Sequence, residues 1–214
     1  MRKSISARSW HKAGVLRLFC AGLAAACFLS ACAQKNIFSD LLLSADEIAT
    51  VESLYGQGMT ETLEGLSLQE SDLVESQVMG AWERAQPLTA DGCEVSQILL
   101  FNMADETFYG TRFLCYMEDA QTLTTRAQEL LAEAKTQYGE ATTYPSLPNR
   151  LDSEEFVEAF AKAFENGEPT NWREEWQVGE QTLCTLSVEV AGPGIASLMW
   201  EYSMSVAMGL PSAG

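Results

Sequence analysis

The amino-acid sequence predicts an α+β fold in which helices pack on an antiparallel sheet, arranged as two divergent α-α-β-β-β units in tandem. Three observations carry that expectation. Apolar residues recur at helical spacing behind capping residues over 44–56 and 119–139. They alternate with a period of two over 93–118 and again over 172–206, with turn residues between the runs. Helices come first and strands after in each half, an order that suits an antiparallel sheet rather than alternating βαβ units.

The elements follow in order. Ser44 and Glu47 make a capping-box pattern, Ile48, Val51 and Tyr55 share a helical face, and Gly56 stops the helix. A second short helical piece is expected over 69–75, because Glu70 stands three residues after Ser67. The stretch 77–86, holding Trp82, reads as a strand. From Cys93 to Met103 the odd positions carry Cys93, Val95, Leu99, Phe101 and Met103, and from Phe108 to Glu118 they carry Tyr109, Phe113, Cys115 and Met117. That pattern predicts a hairpin turning near Ala104 to Glu106 with both odd faces inward. Asp119 caps the strongest helix, whose stripe is Leu123, Ala127, Leu130, Leu131, Ala134 and Tyr138, ended by Gly139. Asp152 and Glu155 form another capping box before Phe156, Phe160 and Phe164, a stripe whose spacing reads as core; Asn166-Gly167 closes it. Three strands finish the chain. Their shared faces are Trp172, Glu174, Trp176 and Val178; Thr182 to Val190 at even positions; and Leu198 to Val206 at even positions. Keeping the first two apolar faces together requires an odd loop, Gly179 to Gln181.

The two halves resemble each other. A shift of 83 residues matches Ala49 with Ala132, Tyr55 with Tyr138, Gly56 with Gly139, Thr60 with Thr143, Leu68 with Leu151, Val74 with Val157 and Glu75 with Glu158. Those seven identities stand where average composition gives roughly two. The plan resembles the small helix-pair-on-sheet modules of envelope-assembly lipoproteins and secreted lactamase-inhibitor proteins, in which a turn like Gly58-Met59-Thr60 also occurs. That resemblance implies topology alone, and no functional residue is carried over from it.

At the N-terminus five basic residues (Arg2, Lys3, Arg8, Lys12, Arg17) precede an apolar run from Leu18 to Leu29, and the run closes on Leu29-Ser30-Ala31-Cys32. An apolar run this short suits a secretory signal and not a spanning helix. The ending resembles the lipobox of bacterial lipoprotein precursors. The resemblance implies a signal peptide over 1–31 and a thioether-linked diacylglycerol on Cys32, often with a further acyl chain, such as palmitate, on its amine. A lipidated tether over 32–43 would then lead into units 44–118 and 119–208 and a tail over 209–214. It places the protein outside the cytoplasm, on the bacterial cell membrane or outer membrane. Several buried acyl chains hold firmly, at about 0.8 kcal/mol per methylene.

Charge narrows the partners. The whole chain carries 13 basic and 30 acidic residues, and loss of the leader removes five of the former and none of the latter, leaving −22. Such a surface repels phosphate backbones, so nucleic acid is not expected as a partner. The single histidine, His11, leaves with the leader. Without histidine the mature chain has no Ser-His-Asp or Cys-His nucleophile system and no histidine metal site. No phosphate loop, calcium loop or closely spaced cysteine pair is present, so no cofactor or metal is expected.

One constellation invites a functional reading: Trp172, Glu174 and Trp176. On an edge strand they would present a flat aromatic surface with a charge, suited to a sugar, peptide or protein. Facing inward, Glu174 would be a carboxylate between indoles with its pKa raised by desolvation. In the mature fold Cys93, Cys115 and Cys184 are all expected to face inward. The hairpin register allows a Cys93–Cys115 disulfide, while an odd number of thiols leaves at least one free. The function expected is a non-enzymatic binding or scaffold module in the cell envelope, its partner a protein, peptide or glycan. The alternative is a carboxylate-dependent hydrolase of an envelope glycan or peptide, which needs two acids about 5 to 10 Å apart in a cleft.

Overall fold

The computed structural model describes residues 38–141 and 149–205. The signal peptide, Cys32 and the tail 209–214 lie outside the described residues. A 3-10 turn (Phe38–Leu41) leads into α1 (Ala45–Leu54) and α2 (Met59–Gly65), then a second 3-10 turn (Glu70–Asp72). Five strands follow: β1 (Leu73–Glu75), β2 (Ala81–Arg84), β3 (Leu88–Ala90), β4 (Cys93–Phe101) and β5 (Phe108–Met117). Next come α3 (Ala120–Tyr138) and α4 (Phe156–Asn166), then β6 (Thr170–Gln177), β7 (Thr182–Gly192) and β8 (Ile195–Met204). The strands form one antiparallel sheet of order β1-β2-β4-β5-β8-β7-β6, and β3 extends the β2 edge by pairing with β4. The fold is α+β, with helices on an antiparallel sheet as the periodicities require.

The two halves meet at the sheet's centre. The strands β2, β4 and β5 on one side mirror β6, β7 and β8 on the other, so the last strand of each half pairs with its counterpart. Phe113 faces Trp200 across that seam, stacked at 5.4 Å, and each is the sixth residue of its ten-residue strand. Tyr55 and Tyr138 both close the first helix of their half, each followed by a glycine with positive φ. The 83-residue matches do not all follow the topology: Val74 and Glu75 lie in a strand, Val157 and Glu158 in a helix. The described parts of units 44–118 and 119–208 therefore share one sheet and one core.

The four described helices pack on the same face. Ile48, Val51 and Leu54 of α1, Leu123, Ala127 and Leu130 of α3, and Phe156 and Phe160 of α4 meet Leu99, Phe113, Leu186, Val188, Leu198, Trp200 and Tyr202 in one cluster. The core begins earlier in the chain than the expected tether boundary at 43, because Leu41, Leu42 and Leu43 are all buried. A closed ring of hydrogen bonds clamps them. The Leu43 N–H donates to the Tyr202 hydroxyl at 2.9 Å, and the Tyr138 hydroxyl donates to the Leu43 carbonyl at 2.8 Å. The two hydroxyls lie 2.9 Å apart, so Tyr202 gives its proton to Tyr138. The Trp200 indole N–H also reaches the Leu41 carbonyl, at 3.3 Å.

Several expectations are corrected. The second helix of the first half is Met59–Gly65, whose Thr62 and Leu63 are buried; 70–72 is a 3-10 turn and 73–75 a strand. With only two buried residues, α2 leaves no stripe to read. The strand around Trp82 spans only Ala81–Arg84, because Gly80 turns the chain at φ +75. Asp152 does not cap α4; its carboxylate takes Arg150 and Lys135 instead. The β4–β5 turn falls where expected, but Met103 lies in it, exposed. A register shift after Leu100 sends Tyr109 to the helix-free face. The odd loop Gly179 to Gln181 is formed, with Val178 N–H bonded to the Thr182 carbonyl at 3.0 Å.

Candidate functional site

Trp172, Glu174 and Trp176 sit on β6 with their side chains under the helices, so they form no exposed aromatic surface. Trp176 and Glu174 are each 1% exposed and Trp172 is 8% exposed. Trp172 packs on Phe156 at 5.4 Å with its indole N–H unpartnered, whereas Trp176 meets Tyr138 at 6.5 Å and donates to the Gly139 carbonyl at 3.0 Å. The edge-strand reading fails because the loop 149–150 covers the free edge of β6. The Arg173 N–H donates to the Asn149 carbonyl at 3.1 Å, and Asn149 Nδ2 donates to the Asn171 carbonyl, also at 3.1 Å.

That loop also supplies the partner for Glu174. Arg150 grips the carboxylate with both arms of its guanidinium, Nε on Oε1 and an Nη on Oε2, each at 3.1 Å. Its other contact is Asp152 at 2.9 Å, which Lys135 meets at 3.3 Å. Burial pushes the Glu174 pKa up, the Arg150 hydrogen bond pulls it partly back, and nearby Asp152 raises it again. The raised direction agrees with the inward reading. Chemically, though, the carboxylate is occupied by Arg150, and the arrangement works as an ion pair between a buried carboxylate and a partly exposed guanidinium, fastening the α3–α4 connection to β6.

The three thiols are free, with no Cys93–Cys115 disulfide. Ser96 faces Leu114, a register that sets Cys115 beside Val95 and leaves Cys93 diagonal to it. Burial, then the neighbouring Cys93 thiol, raises Cys115 to about 12; burial raises Cys184 to about 12. Both are poor nucleophiles at neutral pH.

The opposite face of the sheet differs in character. No described helix covers it. A separate small cluster of Ala81, Ile98 and Leu100, with Tyr109 and Leu114 packed on it, marks its β2–β5 side. Beside this apolar patch a cross-strand row runs Glu83, Ile98, Arg112, Glu201, Thr185, Glu175. Arg112 holds Glu201 through Nε at 2.8 Å and an Nη at 2.6 Å, both on Oε2. In the next row Ser187 is buried with its hydroxyl unpartnered, between Met199 and Arg173. Tyr109 links patch and row: burial raises its pKa, Glu201 adds to that, and Arg112 opposes it.

Where the β4–β5 turn, the β1–β2 turn and the end of β8 converge, a cleft of about 540 Å³ opens. Met79, Met103, Met204, Phe101, Phe108 and Tyr109 line it together with Asn102, Asp105 and Thr107. Met79 and Met103 are 80% and 67% exposed, and Val78 beside them is 46% exposed. Gly80 lets the β1–β2 turn lie against this site, since a Cβ there would come within 2.7 Å of the Phe101 carbonyl oxygen. Neither this cleft nor the charged row was assigned from sequence. The available signal was apolar residues at turn positions, Val78-Met79 before Gly80 and Met103 inside a polar turn.

Among the described residues no cluster of histidine, cysteine and acidic side chains could hold a metal ion, and no helix is long and apolar enough to cross a membrane. No family model matches the chain, and neither does any curated protein or solved structure.

Proposed function

We propose that this protein is a lipid-anchored extracytoplasmic binding module, held to the membrane through Cys32 and receiving a protein, peptide or glycan of the cell envelope on the helix-free face of its sheet. The observation that carries the reading is that face itself. The four described helices cover one side, while on the other the Arg112–Glu201 pair, half-buried Tyr109 and Leu114 and the exposed Tyr116 flank a small buried cluster of Ala81, Ile98 and Leu100. A face of this kind, with accessible Leu114 and Tyr116 beside a charged pair, suits reversible recognition. The anchor reading rests on Leu29-Ser30-Ala31-Cys32 behind its basic and apolar segments. The buried Leu41 stands nine residues after Cys32, so the lipid and the core are at most about 30 Å apart. A short span keeps the binding face near the bilayer.

Neither the cleft nor the buried Glu174 supplies, among the described residues, the carboxylate pair that the hydrolase alternative needs. Asp105 is the single acidic residue lining the cleft, and Glu174 is closed off by Arg150. Two experiments test the proposal. Cys32→Ala should abolish incorporation of labelled palmitate and release the protein from membranes; labelling that persists removes the anchor. A photo-crosslinking residue at Leu114 or Tyr116 should capture an envelope component that the same residue at Glu133, on the outer side of α3, does not. Equal capture from both sides, or none from the sheet, rejects the binding face.

A further inference from the structure

We propose that the methionine-lined cleft at the β4–β5 turn seats an apolar peptide segment carrying a basic residue. The inference rests on the binding-module reading and gives the partner at this end of the sheet a chemistry. Three thioether side chains, Met79, Met103 and Met204, surround the opening, and the first two stand largely in solvent. Methionine is flexible and polarisable, so it moulds to apolar side chains of varied shape and recurs on surfaces that bind several peptides. The floor is fixed where the rim is adaptable. Phe101 and Phe108 are buried and meet edge to face at 5.7 Å, and the turn is closed by Asn102 N–H to the Thr107 carbonyl and Glu106 N–H to the Asn102 carbonyl, both 2.8 Å.

Charge decides the occupant. Asp105 is the single charged residue of the lining, and Glu106 follows it at the exposed tip. Thr107 donates to the Asp105 carboxylate through its hydroxyl at 2.7 Å and its backbone N–H at 3.2 Å, which holds the acid below the usual carboxylate range and the negative charge in place. Among the described residues no cation lines the cleft, and Arg112 nearby is committed to Glu201. An apolar segment bearing lysine or arginine would therefore find thioethers for its side chains and Asp105 for its cation; an acidic segment or an anionic headgroup would be repelled.

The test is fluorescence anisotropy with a labelled nonapeptide of leucine and alanine around one central arginine, and its central-glutamate twin. The protein is the whole mature chain in phosphatidylcholine nanodiscs, with empty nanodiscs as the blank. The arginine peptide should bind at least ten-fold tighter than the glutamate one. Met79→Ser with Met103→Ser should weaken it at least ten-fold without moving the unfolding midpoint. Asp105→Asn should weaken it about three-fold, whereas Glu133→Gln, which removes the same charge far from the cleft, should not. Equal binding of the two peptides, an unaffected methionine double variant, or equal loss in Glu133→Gln would overturn the cleft assignment. If those failures occur while crosslinks from Leu114 persist, the binding face stands and the cleft alone is wrong; if both are lost, the binding-module reading fails with it.

Discussion

The two faces of the sheet use the same strands in opposite ways. On the helix side the aromatic residues of β5, β6 and β8, among them Phe113, Trp176, Trp200 and Tyr202, are sealed in the core. Their polar atoms are mostly spoken for, Trp176 by the Gly139 carbonyl and Tyr202 by Leu43 and Tyr138. The other face carries Ile98, Leu114 and Met199 among Arg112, Glu201, Glu175 and Arg173, with no described helix over them. Aromatic density thus marks the helix-packed side where the chain is stabilised, and a plainer mixture of aliphatic, methionine and charged residues marks the helix-free side proposed for partners.

The largest stability effect should come from the helix side at Arg150. Replacing it with methionine leaves the Glu174 carboxylate buried with no cation, a loss of about 3 to 5 kcal/mol at pH 7. The sign of the pH dependence follows from the raised pKa of Glu174. A carboxyl that binds its proton more tightly in the folded state contributes stability that is complete below its ordinary value near 4.5 and is lost as pH rises through the folded value. Without Arg150 the folded value rises further, so the deficit should shrink as pH falls from 8 toward 5. Denaturant unfolding across that range checks it; a deficit independent of pH would show that the pair contributes little.

A middle-sized effect is expected where the incoming chain is clamped. Tyr202→Phe removes the acceptor of the Leu43 N–H and the donor to Tyr138 in one step. A buried backbone N–H left unmade costs about 1 to 3 kcal/mol. Amide exchange at Leu43 should accelerate more than exchange in β4. Equal changes at both sites would mean that the ring of hydrogen bonds holds no local segment.

How far these faces could be read from sequence follows from what each leaves in the pattern. Strands β4 to β8 and helices α3 and α4 bury a complete face, so alternation and helical spacing reveal them, and the inward direction of Trp176, Cys184 and Trp200 comes with the parity. α2 and β3 are short and bury two residues each, Thr62 and Leu63, Leu88 and Ala90, too few for a period to emerge. Tyr109 was misplaced because one irregularity after Leu100 inverts parity, a backbone event that no side-chain pattern records. The Trp172-Glu174-Trp176 run was legible as chemistry but not as position. Whether a carboxylate between indoles is a site or a fastening depends on Arg150, 24 residues upstream in a loop. The charged row across Glu83, Arg112, Glu201 and Glu175 joins residues from every part of the chain, and only the register assembles it.

The smallest stability effect should come from that row, and it tests the division between the faces most sharply. Arg112 and Glu201 are partly exposed, at 25% and 17% for their side chains, so the pair is worth no more than about 1 kcal/mol despite its short contacts. Arg112→Ala should therefore shift the denaturation midpoint only slightly, and raised salt should erase the difference by screening the pair. If the open face is a docking surface, the same substitution should reduce crosslinking from Leu114 severalfold, because it frees Glu201 and adds an uncompensated negative charge beside the apolar patch. A variant that unfolds easily would assign Arg112 to the framework. One that unfolds normally and crosslinks normally would leave the row without a role in recognition. A stable variant that no longer captures its partner would separate the two faces, one holding the fold and the other using it.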